Sequence, residues 1–276
     1  MTAQLPVALV TGASSGIGKE VALRLVDVGY HVVGTSRDAS ALEGREDLAV
    51  EGLSFVDLDV ASDASVIAAV DHVLGRFGRL DVLVNNAGIG SGGAAEELSA
   101  AQDSKVIDVN VLGVMRTMKA ALPHMRAQGR GRIVNLSSIA GLVPQPHMAT
   151  YVASKHAVEG YSESVDHEVR EYGVRVVLVE PGPTSTPFDG AMLRPEVLLP
   201  AYALQRETFA DVMADSLKAG DDPIAVAKVV VTAATDAKPK LRYPAGVTAG
   251  RVSLLRRFVP ARIFDRQIRK INRFAA

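Results

Sequence analysis

The chain holds 276 residues, 48% of them hydrophobic and 22% charged, enough for a globular body with a sizeable core and too mixed for a disordered, collagenous or coiled-coil chain. Thirty Lys and Arg against thirty-one Asp and Glu leave a net charge of -1, so no basic excess draws in nucleic acid and any phosphate must be bound locally. Cysteine is absent, which excludes a disulfide framework, a thiolate nucleophile and Cys-ligated zinc.

Met1 to Leu5 carries no positive leader region, and the apolar run Val7 to Val10 is too short for a signal sequence. No segment approaches the ~18 apolar residues of a membrane-spanning helix, and a cytoplasmic chain is expected. Val7 to Val10 predicts a buried strand, followed by helical spacing over Ile17 to Val28. Strands are then predicted at His31 to Thr35 and Leu53 to Val60, a helix at Ala64 to Phe77, and a strand at Val82 to Val84. A long helix over Ala101 to Arg126, a strand at Arg132 to Leu136, a helix at Val152 to Tyr172, a strand at Val174 to Val179 and a helix at Pro223 to Thr235 complete the series. The strands are apolar enough to be covered on both faces. This alternation predicts an α/β class: a single-domain, doubly wound, Rossmann-like parallel sheet flanked by helices on both faces. The domain is expected to span residues 1–250, with an irregular lid at about 187–222, and to be followed by a tail at 251–276.

The octapeptide Thr11-Gly12-Ala13-Ser14-Ser15-Gly16-Ile17-Gly18 closes the first strand and opens the first helix. A helix N-terminus there offers unpaired N–H groups, and glycines let a pyrophosphate approach the backbone. The spacing Gly-x-x-x-Gly-x-Gly differs from the commoner Gly-x-Gly-x-x-Gly and lacks the Lys-Ser/Thr of a P-loop; a ligand-free loop is the plainer alternative. The second strand ends in Ser36 and Arg37, where a carboxylate would repel a 2′-phosphate and a guanidinium would accept one. NADP(H) is therefore expected over NAD(H). NAD(H) stays open because Asp38 could serve the ribose and Arg37 could be a solvated charge.

Tyr151 and Lys155 stand four residues apart on one helix face. A free phenol titrates near ~10, and a neighbouring cation is expected to lower it, so that Tyr151 can exchange a proton with an alcohol or carbonyl oxygen. Such a pair alone also arises by chance on helix surfaces. Ser138 closes the strand upstream, at the carboxyl edge where open α/β sheets bind ligands, and can donate to the same oxygen. Asn85-Asn86-Ala87-Gly88 ends another strand there, and Asn110 lies in the following helix, where its amide is expected to have a partner that packing could also supply.

In this order and spacing, Thr11 to Gly18, Asp59-Val60, Asn85 to Gly88, Asn110, Ser138, Tyr151 with Lys155, and Pro181-Gly182 leading to Thr186 resemble the compact single-domain short-chain dehydrogenase/reductases. The resemblance covers Val7 to about Thr186. It implies a tetrad of Asn110, Ser138, Tyr151 and Lys155: Tyr151 as general acid or base, Lys155 on the nicotinamide ribose, Ser138 orienting the substrate oxygen, and Asn110 securing a water. Added to the glycine turn (Gly12, Ser14, Ser15, Gly16, Ile17, Gly18) and to Ser36 and Arg37, the resemblance implies cofactor contacts from Asp59, Val60, Asn86, Ala87, Gly88, Tyr151, Lys155, Pro181, Gly182, Thr184 and Thr186. Thr184 stands where the family often has a branched aliphatic residue. A homodimer or homotetramer paired through Ala101 to Arg126 and Val152 to Tyr172 is also implied.

Residues 187–222 carry Phe188, Met192, Leu193, Leu198, Leu199, Tyr202, Leu204, Phe209 and Met213, as a lid for a small apolar carbonyl or alcohol of steroid-, retinoid- or lipid-like kind would, though a helix pair packed on its own domain fits as well. Arg251 to Ala276 holds eight basic side chains against Asp265 alone, leaving residues 1–250 at a net of minus eight. Interleaved with apolar residues, the tail reads as a basic amphipathic element. Packing on the acidic body or across a subunit interface is expected in preference to contact with anionic lipid. A non-catalytic NAD(P) sensor is the competing function, and an epimerase or dehydratase fits the short C-terminal part poorly. The six histidines lack metal-ligand spacing, and no metal site is expected.

Overall fold

A computed structural model describes residues 4–274, the side chain of Arg257 apart. Met1 to Ala3, where the chain was read for a leader, and Ala275 and Ala276 of the tail lie outside the described residues. In chain order the strands are β1 (Val7–Val10), β2 (His31–Ser36), β3 (Leu53–Asp57), β4 (Val82–Asn85), β5 (Gly90–Ser91), β6 (Gly131–Leu136), β7 (Val174–Pro181), β8 (Met192–Leu193) and β9 (Arg242–Ala245). The helices are α1 (Gly16–Asp27), α2 (Asp63–Phe77), α3 (Ala100–Ile107), α4 (Gly113–Gln128), α5 (Ala149–Val169), α6 (Ala203–Lys218), α7 (Pro223–Thr235), α8 (Val247–Phe258) and α9 (Ala261–Ile271).

Seven strands hydrogen-bond in parallel in the order β3-β2-β1-β4-β6-β7-β9, and β5 pairs with β8 apart from them. β1 shows why the sheet is central: all four of its side chains are buried, alternating between two layers. Ala8 and Val10 pack with Val21 and Leu25 of α1 and Val226 and Val230 of α7. Val7 and Leu9 face Val73 of α2, Met118 and Met125 of α4, and Val158 and Val165 of α5. Asp222 caps α7 by accepting from the Ile224 N–H, and Pro223 occupies the first turn, where no N–H is missed.

The chain runs outward from β1 through β2 to β3, then returns past β1 to β4. Connections leave β1 and β4 in opposite directions, which opens a crevice at their carboxyl ends.

All six expected strands are present, and β9 is additional: Arg-Tyr-Pro-Ala is short and contains proline, tolerated because β9 is an edge strand. The long helix expected over Ala101 to Arg126 is interrupted by a π-turn at Asp108–Leu112. The segment expected to be irregular contains α6, and the boundary expected at residue 250 falls inside α8.

Candidate active site

Gly12 (φ +64°) and Gly16 (φ +54°) adopt left-handed backbone, and a Cβ on Gly18 would lie 2.3 Å from the Gly12 carbonyl oxygen. The turn thus folds tightly onto the start of α1, whose N-cap Ser15 makes no side-chain cap bond. That leaves amide donors for an anion. Thr11 Oγ1 accepts from the N–H groups of Asn86 and Ala87, both at 3.0 Å. Asn86 Nδ2 donates back to the carbonyls of Thr11 (2.9 Å) and Gly12 (3.0 Å). Asn86 lines the cavity as expected of a cofactor contact, while its amide hydrogens tie the β4 end to the glycine turn.

At the end of β2, Asp38 accepts from Ser40 Oγ (2.7 Å) and the Ala41 N–H (3.1 Å), which hold its carboxyl below the usual range. It is turned into the following 3₁₀ turn and does not line the cavity, whereas Ser36 and Arg37 do. Arg37 is exposed and has no ion pair among the described residues. A cation near the turn escaped the sequence reading: Arg45 donates to the Ser14 carbonyl at 2.8 Å while paired with Asp47.

α5 carries Tyr151, Lys155, Glu159 and Glu163 at four-residue spacing. Lys155 Nζ donates to the Leu136 carbonyl at 2.8 Å and lies 5.7 Å from the centre of the Tyr151 ring. The Phe188 ring stands 5.7 Å from that of Tyr151 on the lid side. Burial pushes the Tyr151 phenol up to about 12, partly offset by a hydrogen bond with Ser138. Burial also brings Lys155 down to about 8, with the Glu159 carboxylate acting the other way. Desolvation of the anion is the larger influence on the phenol, and the Lys155 ammonium is aimed at the Leu136 carbonyl.

Asn110 sits in the π-turn, buried. Its amide donates to the Ile89 carbonyl (2.8 Å) and Ser154 Oγ (3.0 Å), and its Oδ1 accepts from the Ile89 N–H (2.9 Å). Both amide hydrogens are spent on protein. The side chain braces the segment after β4 against α5.

Beneath the site, Thr117 Oγ1 donates to Asn85 (2.7 Å), Asn85 to Asn135 (2.8 Å), and Asn135 to Ser162 Oγ (2.8 Å). This buried chain locks the ends of β4 and β6 to α4 and α5. Behind Lys155, Arg242 of β9 pairs with Glu159, Glu163 and the fully buried Glu180. Burial raises the Glu159 carboxyl to about 7 despite that arginine.

Every residue expected at the site except Gly18 and Asn110 lines one cavity of about 840 Å³. Gly18 contributes by the close packing described above. The hydroxyl of buried Thr184 donates to the Gly182 carbonyl at 3.0 Å, and Thr186 stands over Gly16, 3.3 Å from where a Cβ would be.

The outer wall comes from the lid and the tail. Phe188, Val212, Met213 and Leu217 supply its apolar surface, Val143 and Met148 add to it from the loop before α5, and Ile271 reaches the cavity from α9. Glu97 anchors the lid, accepting from the Leu199 N–H (2.8 Å) and the Ala94 N–H (3.0 Å) and pairing with Arg206. The tail is latched to the body by Gln145 to Asn272 (2.8 Å) and Arg273 to Asp215 (2.8 Å), with His147 between the Phe209 and Phe274 rings. Sequence spacing gave no sign of Gln145 or Ile271 at the site.

The profile of the short chain dehydrogenase family matches residues 6–196. The chain belongs to that family. It is similar to 3-ketodihydrosphingosine reductase of Bacteroides thetaiotaomicron, 41% identical over 215 residues that cover 78% of this chain and 76% of the relative. It is similar also to retinol dehydrogenase 8 of Bos taurus, 38% identical over 85% of this chain and 79% of the relative. A solved short-chain dehydrogenase from Streptomyces avermitilis superposes with a TM-score of 0.84 at 33% identity, covering 99% of this chain and 98% of its own. Other solved chains of this fold, 27%, 29% and 31% identical, are complexes with NADH, NAD and NADP respectively. This short-chain dehydrogenase is thus an NAD(P)-dependent oxidoreductase acting on CH–OH groups.

Proposed function

We propose that the chain is an NADP(H)-dependent reductase of a lipophilic ketone, or dehydrogenase of the matching secondary alcohol, with Tyr151 as its proton donor and acceptor. The observation that carries this reading is the single cavity in which the glycine turn, the group of Ser138, Tyr151 and Lys155, and an apolar lid wall meet. Two relatives named above point the same way, since 3-ketodihydrosphingosine and retinol are both lipid-like.

The glycine turn and the N-terminus of α1 would hold the pyrophosphate, and Arg37 with Ser36 the 2′-phosphate, from which Asp38 is turned away. The nicotinamide, when bound, supplies or accepts a hydride. Ser138 donates to the substrate oxygen and holds it beside Tyr151. As the carbonyl carbon gains hydride, the phenol passes its proton to that oxygen; in oxidation the phenolate takes it back. Lys155 keeps two N–H groups beyond the one spent on Leu136, and these would reach the ribose hydroxyls. Asn110 acts as a brace. The exposed sides of α4 and α5 would pair subunits, which light scattering at micromolar concentration tests.

The deciding experiment is a screen of lipophilic and small ketones with NADPH and NADH, followed at 340 nm. Turnover confined to the lipophilic ketones with NADPH is the expected result. Preference for small polar ketones, or for NADH, would overturn the corresponding half of the reading.

A further inference from the structure

The cavity does not account for what α8 displays. On this helix Val247, Arg251, Leu254, Leu255 and Phe258 follow i, i+4, i+7, i+8 and i+11, so they share one face. That face is turned to solvent: Val247 is 65% exposed, Leu254 62%, Leu255 51% and Phe258 69%. Four large apolar side chains on one open face, away from the buried layers, are the kind of patch that marks a contact surface.

α9 continues it after the two residues Val259 and Pro260. Its Phe264 and Ile268 are half-buried, while Ile263, 49% exposed, shares a face with Arg266 and Lys270 at i, i+3 and i+7. Arg262, Arg266 and Lys270 are exposed and form no ion pair among the described residues. The latches at Asn272, Arg273 and Phe274 hold the end of the tail on the lid and on the loop before α5, yet leave Val247, Leu254 and Leu255 of α8 open to solvent.

We propose that α8 and α9 form an interfacial docking surface for a lipid bilayer carrying anionic headgroups. Apolar side chains of α8 would enter the boundary between headgroups and acyl chains, and the cations of α9 would meet the phosphates. Charge decides between this occupant and a second copy of the chain. A two-fold pairing through the same surface would set the exposed Arg251, Arg262, Arg266 and Lys270 against their twins, whereas an anionic surface neutralises them. Packing of the tail on the body accounts for the inner face of α8, where Ala249 is buried and Arg256 donates to the Leu142 carbonyl, and for the last turn of α9, but not for the open face of α8.

Co-sedimentation of the full chain with phosphatidylcholine vesicles, and with vesicles that also contain phosphatidylglycerol, tests the surface without any catalytic readout. Binding to the anionic vesicles at low salt is expected, at least about tenfold weaker to phosphatidylcholine alone, and falling as NaCl approaches about 0.5 M. Leu254→Ser with Phe258→Ser should lower the partition at least about tenfold, as loss of two buried apolar side chains would. Arg262→Glu with Arg266→Glu should lower it with the same salt signature, and decides alone if the serine pair fails to fold. No binding to either vesicle, or equal and salt-insensitive binding to both, would overturn the proposal. So would light scattering that shows an oligomer dissociated by the serine pair, since the face would then join subunits.

Discussion

Lys155 and Glu159 stand one turn apart on α5, both withdrawn from water, the ammonium on the Leu136 carbonyl and the carboxyl on Arg242. Two opposed shifts meet there: burial lowers the lysine to about 8 and raises the glutamate to about 7, and each charge favours the other's ionised form. The charge at the catalytic face of α5 is thereby coupled to an acidic cluster on its far side.

Glu159→Gln removes the anion that keeps Lys155 protonated, so the lysine should titrate lower still. The ammonium is present below about 8, and the alkaline limb of NADPH-dependent reduction should move down from there by about one unit. A second readout has its own sign. Folded Glu159 holds a proton up to about 7 where the unfolded carboxyl loses it near its ordinary 4.5, so wild-type stability should fall as pH rises across that window. The Gln variant should flatten that fall in denaturant melts. An unmoved alkaline limb would remove Glu159 from the control of Lys155.

Tyr151→Phe keeps the ring against Phe188 and removes the proton. NADPH affinity, read by fluorescence, should stay within about twofold while turnover falls at least about a hundredfold. With its pKa pushed up to about 12 the phenol stays protonated at neutral pH, so reduction should not change with pH through the phenol there, while oxidation should rise with pH. Persistent turnover in the Phe variant with any substrate would reject Tyr151 as the proton donor.

Arg37→Asp should weaken NADPH at least about tenfold and leave NADH nearly unchanged, because a charge-assisted contact is replaced by repulsion. Asp38→Ala supplies the control. Its carboxylate is spent on Ser40 and Ala41, so the ratio of the two affinities should hold within about twofold. Equal losses of NADPH and NADH in the Arg37 variant would refute the 2′-phosphate contact.

The sheet was legible because β1, β4, β6 and β7 are buried on both faces, and that requirement writes continuous apolar runs into the sequence. Local spacing also revealed the glycine turn and the Tyr151-Lys155 pair, since both lie within one or two helical turns. Asn86 and Asn110 were found by position, but the partners of their amides were not: each chooses among groups 21 to 75 residues away, which no spacing rule ranks. The same holds for Arg242, whose three carboxylate partners lie 62 to 83 residues upstream. The phenol's shift went unread because sequence shows the neighbouring charge and not the depth of burial.

The lid can be loosened without touching the reacting groups. Glu97 lies before α3, and its carboxylate, fully out of solvent, is shared by the Leu199 N–H, the Ala94 N–H and Arg206 of α6. In Glu97→Gln the Arg206 guanidinium loses its counter-charge at a desolvated site, and a broken buried pair is costly because the remaining ion stays uncompensated. α6 should then open more often. Hydrogen exchange across 197–218 should speed up at least about tenfold, while the core of β1 and β4 stays protected. Since Met213 and Leu217 of α6 line the cavity, KM for lipophilic ketones should rise severalfold, with kcat for a small ketone nearly unchanged. Unchanged exchange in this segment would show that Glu97 does not hold the lid, and a proportional loss of kcat with every ketone would place its effect on Tyr151 instead.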